Sequence, residues 1–379
     1  MEIFKASRQW QTRPADERFW TVEDLRVACA EYRQSAVTAP VNYRDLRTET
    51  QDGEVVLVGK TNQPAKLTHW AFGQIAQRAG APSSYLRALP ATLAVQNLNH
   101  GLKAHQEDGS GVLLMHKNGG MLVRAANGVD YARIWNDEIA ERAMALTDWA
   151  PPPARPTHSS PARPAVQADI DGLPTSIHVG ELIGPAGLYA SDHDLFMFLI
   201  ERNRVVEAKG TALSRGIILW NSEVGAKSVG GMSFLFNHVC GNHIIWGASH
   251  VSTFRFRHVG DARERAFQSF RVELAQYAES STSDEQAKIE KAMAFELGAT
   301  REDVLDTLVK VARRANLGVS KLALTAAVDT AEARVDRYGS PRTAWAVANG
   351  MSENSQATPF ADERMAMDQA AGKIMEIAF

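Results

Sequence analysis

Glu223, His238, Cys240 and His243 are the residues of this 379-residue chain whose types and closeness in sequence could do chemistry. A carboxylate near imidazoles forms an acid–base set when the groups come within hydrogen-bond reach of one substrate. His238, Cys240 and His243 are also zinc-donor types, and zinc takes four tetrahedral ligands, or three plus water. If Gly241-Asn242 makes a two-residue turn, Cys240 and His243 face each other across a hairpin. His238 then shares their face, because side chains alternate with period two. His250 falls on the opposite parity, and no second Cys-rich half exists. A metal- or nucleotide-dependent enzyme centred on Glu223, His238, Cys240 and His243 is therefore the alternative reading. No catalytic residue, metal ligand or cofactor is assigned on this basis.

The segment NSEVGAKS, residues 221–228, has the look of a phosphate-binding loop and fails its requirements. Trp220 occupies the position of the first glycine, and Ala226 stands where glycine must precede Lys227. No Gly-x-Ser-x-Gly elbow, dinucleotide fingerprint or His-Glu-x-x-His occurs. Ser191-Asp192-His193-Asp194 resembles an acid–base cluster. Its Ser/Asp spacing is better read as a capping box opening a helix over LFMFLIERN.

Charge gives a stronger signal. The whole chain is slightly acidic, at −3, yet residues 202–271 hold ten Lys or Arg against four Asp or Glu. Arg215, Lys227, Arg255, Arg257, Arg263 and Arg265 are among them, with Trp220 and Phe254 interleaved. A positive groove with aromatic stacking platforms is how single-stranded nucleic acid is held without sequence preference. These eight residues are the candidate nucleic-acid contacts. Arg255, Arg257 and Lys227 are assigned to phosphates, and Phe254 or Trp220 to base stacking.

The elements that must position these residues lie between 215 and 258. Residues 232–240 and 243–248 are apolar on both alternating faces, as in central strands covered on both sides. Residues 251–258 alternate, with Phe254, Phe256 and His258 on one side and Thr253, Arg255 and Arg257 on the other. Before this stretch, Thr21 and Asp24 cap a helix, and Thr68 caps another over HWAFGQIAQRA. The short helix after Gly80-Ala81-Pro82 offers Arg87 as its strong cation, which suits packing better than a DNA-reading helix. Residues 111–115 and 121–125 flank Asn118-Gly119-Gly120 as a hairpin.

Expected is an α+β protein: a central, mainly antiparallel sheet flanked by helices, with a helical C-terminal region. Four stretches follow: an N-terminal α+β region over 1–148, a Pro-rich linker or insertion over 149–170, a central sheet region over 171–282, and helices over 283–379. Two distant cysteines suggest no disulfide framework, and no run is apolar enough for a membrane span. The expectation is a cytoplasmic protein without a membrane partner, for which assembly into a homo-oligomer is open.

Several segments resemble a known family. LTHWAFGQIAQRAGAPSSYLRALPATLAVQNLNH, YARIWNDEI, LYASDHDLFMFLI, RGIILWNSEVGAKSVGGMSFLFNHVCGNHIIWGA and TAWAVANGMSENSQ are similar to the phage- and plasmid-related family defined by domain of unknown function 932. NSEVGAKS and VCGNHIIWGA are the most specific of these blocks. The resemblance implies the biology of a mobile element and carries over no catalytic residue. With the charge pattern, it favours a non-enzymatic nucleic-acid-binding protein of a phage or plasmid. Single-stranded DNA binding, annealing, or accessory work in replication or recombination are the expected roles.

Overall fold

The structure is a computed structural model and describes residues 13–104, 109–117, 120–157, 160–170, 177–237, 242–244, 254–279, 281–358 and 361–379. The N-terminal part begins with helix α1 (Val22–Gln34), capped as expected by the Thr21 hydroxyl, which accepts from the Asp24 amide at 3.0 Å. Its strands are β1 (Ala36–Asn42), β2 (Arg47–Gln51), β3 (Glu54–Val58), β4 (Pro64–Leu67), β5 (Ser110–Lys117) and β6 (Met121–Asn127). They form a six-stranded sheet in the order β1-β5-β6-β4-β3-β2. β5 and β6 are the antiparallel hairpin that the Asn-Gly-Gly segment implies. Helices α2 (His69–Arg78), α3 (Ser83–Ala88) and α4 (Ala91–Ala104) pack on this sheet through Ala71, Ile75, Leu86 and Leu98, all fully or almost fully buried. Arg87 turns inward, donating to the His69 carbonyl at 2.8 Å and to the Ser83 hydroxyl at 3.2 Å. Helix α5 (Asn136–Met144) follows.

The Pro-rich stretch adds short strands to the body. β7 (Trp149–Ala150) pairs with the central sheet, while β8 (Arg155–Pro156) and β9 (Arg163–Pro164) flank β10 (Leu182–Gly184) in a small sheet. The central sheet is antiparallel, with β11 (Leu188–Ala190), β12 (Leu195–Ala208), β13 (Thr211–Asn221), β14 (Val229–Asn237), β15 (Asn242–Ile244) and β16 (Phe254–Phe256). Both faces are covered. Leu195, Met197, Leu199, Ile217, Leu219 and Phe254 belong to one core, and Tyr189, Phe196, Phe198, Ile218, Trp220 and Phe234 to the other. This corrects one expectation: LFMFLIERN lies in β12, not in a helix. A run apolar at every position, as over 195–200, fits a two-sided strand as well as a buried helix, and periodicity does not separate them.

A second correction concerns the hairpin after β14. Asn237 pairs with Asn242 and Phe236 with His243, so β14 and β15 are joined over 238–241. Gly241-Asn242 is therefore not a two-residue turn, and His243 lies opposite Phe236 rather than Cys240. His238 and Cys240 lie outside the described residues. The alternation expected for 254–256 is found: Phe254 is buried and Arg255 exposed.

Helices α6 (Ala262–Glu279), α7 (Ser283–Ala294), α8 (Arg301–Arg314), α9 (Lys321–Ala333), α10 (Val335–Tyr338), α11 (Ala344–Gln356) and α12 (Ala361–Met375) complete the chain. The α7–α12 bundle buries Ile289, Leu308, Val328, Trp345 and Ile374 against Val206, Leu213 and Leu235 of the central sheet. The molecule is an α+β protein with antiparallel-rich sheets and a helical C-terminal region. No helix among the described residues is long and apolar enough to cross a membrane.

Candidate nucleic-acid interface

The turn between β13 and β14 joins the central sheet to the N-terminal part. The Val224 carbonyl accepts from Trp70 Nε1 at 3.0 Å, Gln74 Nε2 at 2.9 Å and Asn127 Nδ2 at 3.1 Å. The Ser222 carbonyl accepts from the Tyr131 hydroxyl at 2.8 Å, and the Glu223 carbonyl accepts from Arg133. Buried backbone carbonyls need such donors. Gly225 closes the turn at φ +89, in the left-handed region that side chains disfavour. A Cβ there would stand 3.2 Å from Asn127 Nδ2 and 3.4 Å from Tyr131 Cε2. The amides of Val224 and Ala226 are held by the Ser222 hydroxyl, at 3.3 Å and 2.9 Å. The NSEVGAKS block is thus built as a joint.

Glu223 belongs to that joint. It is 2% exposed, and it accepts from Arg124 NH2 at 2.9 Å and from the Asn136 amide at 2.9 Å. His243 lies at the other end of β14, opposite Phe236. Seven strand residues separate Val229 from Phe236, or roughly 23 Å at about 3.3 Å per residue. Glu223 and His243 therefore do not share a site, and the other two expected residues, His238 and Cys240, lie outside the described residues. The Ser191–Asp194 cluster is likewise spoken for. Arg13 grips Asp194 with two hydrogen bonds of 2.8 Å, and the Ser191 hydroxyl donates to Asp194 at 2.7 Å. Burial would raise the Asp194 carboxyl, but Arg13 and His193 hold it below the usual carboxylate range.

The eight candidate nucleic-acid contacts divide into three groups. Arg215, Trp220 and Phe254 are core residues, 0%, 7% and 6% exposed. Arg215 donates to Glu285 at 2.7 Å and to the carbonyls of Tyr277 and Ser281 at 2.8 Å each. It stabilises the meeting of β13 with α6 and α7, and cannot reach a phosphate. Trp220 lies across bare Gly230, where a Cβ would come within 2.5 Å of its ring, and Phe254 similarly covers Gly231. Their ring faces are used in packing, so neither serves as a stacking platform.

Arg263 and Arg265 form a second group, each engaged by acid. Arg263 makes a two-point contact with Glu138, at 2.9 and 3.2 Å, and Arg265 Nε lies 2.8 Å from Asp261. Burial pushes the Glu138 carboxyl up, but Arg263 and then Arg33 more than offset this and hold it low.

Lys227, Arg255 and Arg257 remain. Arg255 ends a cross-strand row that runs Tyr189, Phe196, Trp220, Gly230, Arg255 over five strands. Its Nε donates to the Ser228 hydroxyl at 2.8 Å, which ties the exposed guanidinium to the β13–β14 turn. Lys227, in the same turn, places its ammonium 5.5 Å from the Phe196 ring centre. Arg257 follows β16 directly and is exposed. Neither Arg255 nor Arg257 has a carboxylate partner among the described residues.

Residues 186–371 match the family model for a domain of unknown function, DUF932. Three of the five blocks that carry the resemblance lie within this stretch, and those over 67–100 and 131–139 lie before it. No curated protein and no solved structure matches the chain. The DUF932 stretch contains β11 to β16, the β13–β14 joint and all three remaining cations. Its acid partners lie partly outside it: Glu138, which holds Arg263, comes from α5. Sequence reasoning missed Glu138, Glu285 and Arg13 because each sits 70 or more positions from its partner, as for Arg215 and Glu285. Ser228 was readable beside Lys227 as a short polar neighbour of the cations.

Proposed function

We propose that the protein binds nucleic acid, single-stranded DNA in the first instance, along the β16 edge of the central sheet, as a DNA-handling factor of a phage or plasmid. The observation that carries this reading is the contrast at β16. Arg255 and Arg257 are exposed and have no carboxylate partner among the described residues, whereas Arg215 is buried on Glu285 and Arg263 and Arg265 are paired with Glu138 and Asp261. The backbone phosphates of a single strand supply the anions that such cations select. The resemblance of the NSEVGAKS and VCGNHIIWGA blocks to a phage- and plasmid-related family supports annealing, or accessory work in replication or recombination, as the setting.

Binding of a labelled oligothymidylate, followed by anisotropy across a salt series, tests this. Affinity should fall as salt rises, with a slope of about −0.7 per phosphate engaged. Arg255→Glu with Arg257→Glu should lower affinity at least ~10-fold and flatten that slope by about one to two units. An unchanged affinity and slope in the double variant would remove β16 as the interface.

A further inference from the structure

β16 leads to a polar cavity. After Arg257 the chain places His258 in a ring stack on Tyr131, with centroids 5.0 Å apart, and Val259 bridges to Tyr131. Gly225 lies against Tyr131, Asn127 and Gln74 together. Asn127 and Gln74, with Gln77, Arg78, Gly80 and Gly128, line a cavity of about 600 Å³ between the C-terminal end of α2 and the end of β6. This volume falls in the range of ~300–1,000 Å³ usual for small-molecule sites.

Its chemistry is selective. None of the described residues lining it carries a carboxylate. The Gln74 amide is committed at both ends, donating to the Val224 carbonyl and accepting from the Ala126 amide at 2.8 Å. Asn127 is likewise committed, to Val224 and Arg133. Gln77 is exposed, and its amide has no partner among the described residues. The Arg78 guanidinium lies over the Tyr43 ring at 4.7 Å, and Tyr43 is fully buried. One face of a flat cation is therefore fixed against an aromatic floor, while the group also forms part of the cavity wall. Guanidinium planes and amides are the groups with which proteins stack and read unpaired bases.

We infer that this cavity takes one nucleobase of a single strand held by the β16 cations, with the base stacked on Arg78 and its polar edge met by the Gln77 amide. The inference rests on the nucleic-acid reading above and adds a base-recognising pocket to its phosphate contacts. The test compares the full chain on an oligothymidylate and on an abasic oligomer of equal length. The unaltered protein should prefer the base-bearing strand roughly tenfold, in line with one stacked base. Arg78→Ala should abolish that preference, and Gln77→Ala should reduce it. Arg255→Glu with Arg257→Glu should weaken both oligomers alike.

Arg78→Ala and Gln77→Ala variants that keep the unaltered preference would overturn the pocket and leave the phosphate contacts standing. If Arg78→Ala does not fold, Gln77→Ala decides, since its side chain is exposed. If the unaltered protein binds neither oligomer, the nucleic-acid reading falls. The pocket is then judged by saturation-transfer NMR with thymidine monophosphate. A signal lost in Gln77→Ala keeps it, and no signal removes it.

Discussion

Arg215 and Arg255 sit on the same sheet, on strands that both pair with β14, and meet opposite fates. Arg215 is fully buried, with Glu285 and two carbonyls saturating its guanidinium. Arg255 lies on the outermost described strand at that end, tied to a serine hydroxyl and open to solvent. A buried charge must be paired and hydrogen-bonded to be tolerated, whereas an exposed one needs no partner and stays available to a ligand. A count of cations along a chain therefore says little about an electropositive surface. What matters is which of them the fold has already answered with acid.

The largest expected effect is on the buried side of this comparison. Arg215→Ala should destabilise the protein by about 3–5 kcal/mol, because it leaves Glu285 buried without its cation. Burial already pushes the Glu285 carboxyl up despite Arg215. Urea denaturation measures the loss, and a change below about 1 kcal/mol would show that Arg215 is not the anchor its geometry indicates.

The buried ion pairs are not all alike, and pH separates them. Arg364 and Asp368 approach only to 3.9 Å, against 2.7 Å for Arg215 and Glu285, and Asp368 also takes hydrogen bonds from Ser352 and Ser355. Burial pushes the Asp368 carboxyl up to about 7 from its ordinary 3.8, with Arg364 pulling the other way. A carboxyl whose folded pKa is raised contributes stability that is complete below its ordinary value and is lost as pH rises through the folded one. Stability of the unaltered protein should therefore decline between pH 4 and 7 more steeply than that of Asp368→Asn. Parallel profiles for the two would place the Asp368 titration elsewhere.

The smallest expected effect is on the exposed side. Arg255→Ala with Arg257→Ala should change stability by no more than ~0.5 kcal/mol, as surface substitutions usually do. A melt matching the unaltered protein, together with weakened DNA binding, would sharpen the contrast with Arg215. A large loss of stability would break it.

Local patterns were legible. Thr21 capping α1, Thr68 capping α2, the β5–β6 hairpin and the Phe254/Arg255 alternation depend on residues within a few positions of one another. β12 was misread because nine apolar-rich residues carry no period when both faces are covered. The β14–β15 turn was misplaced because register depends on the partner strand, which pairs Asn242 with Asn237 and so puts it in β15.

For the candidate site, the sequence by itself determined that cations gather late in the chain, that Arg255 faces away from Phe254, and that NSEVGAKS cannot wrap a phosphate. Only the tertiary structure decided which cations are available. Arg215 met Glu285, Arg263 met Glu138 and Glu223 met Arg124, from 70, 125 and 99 positions away. Charge pairing acts through space over a few ångströms, and no spacing along the chain records which distant carboxylate folding will bring to a given guanidinium.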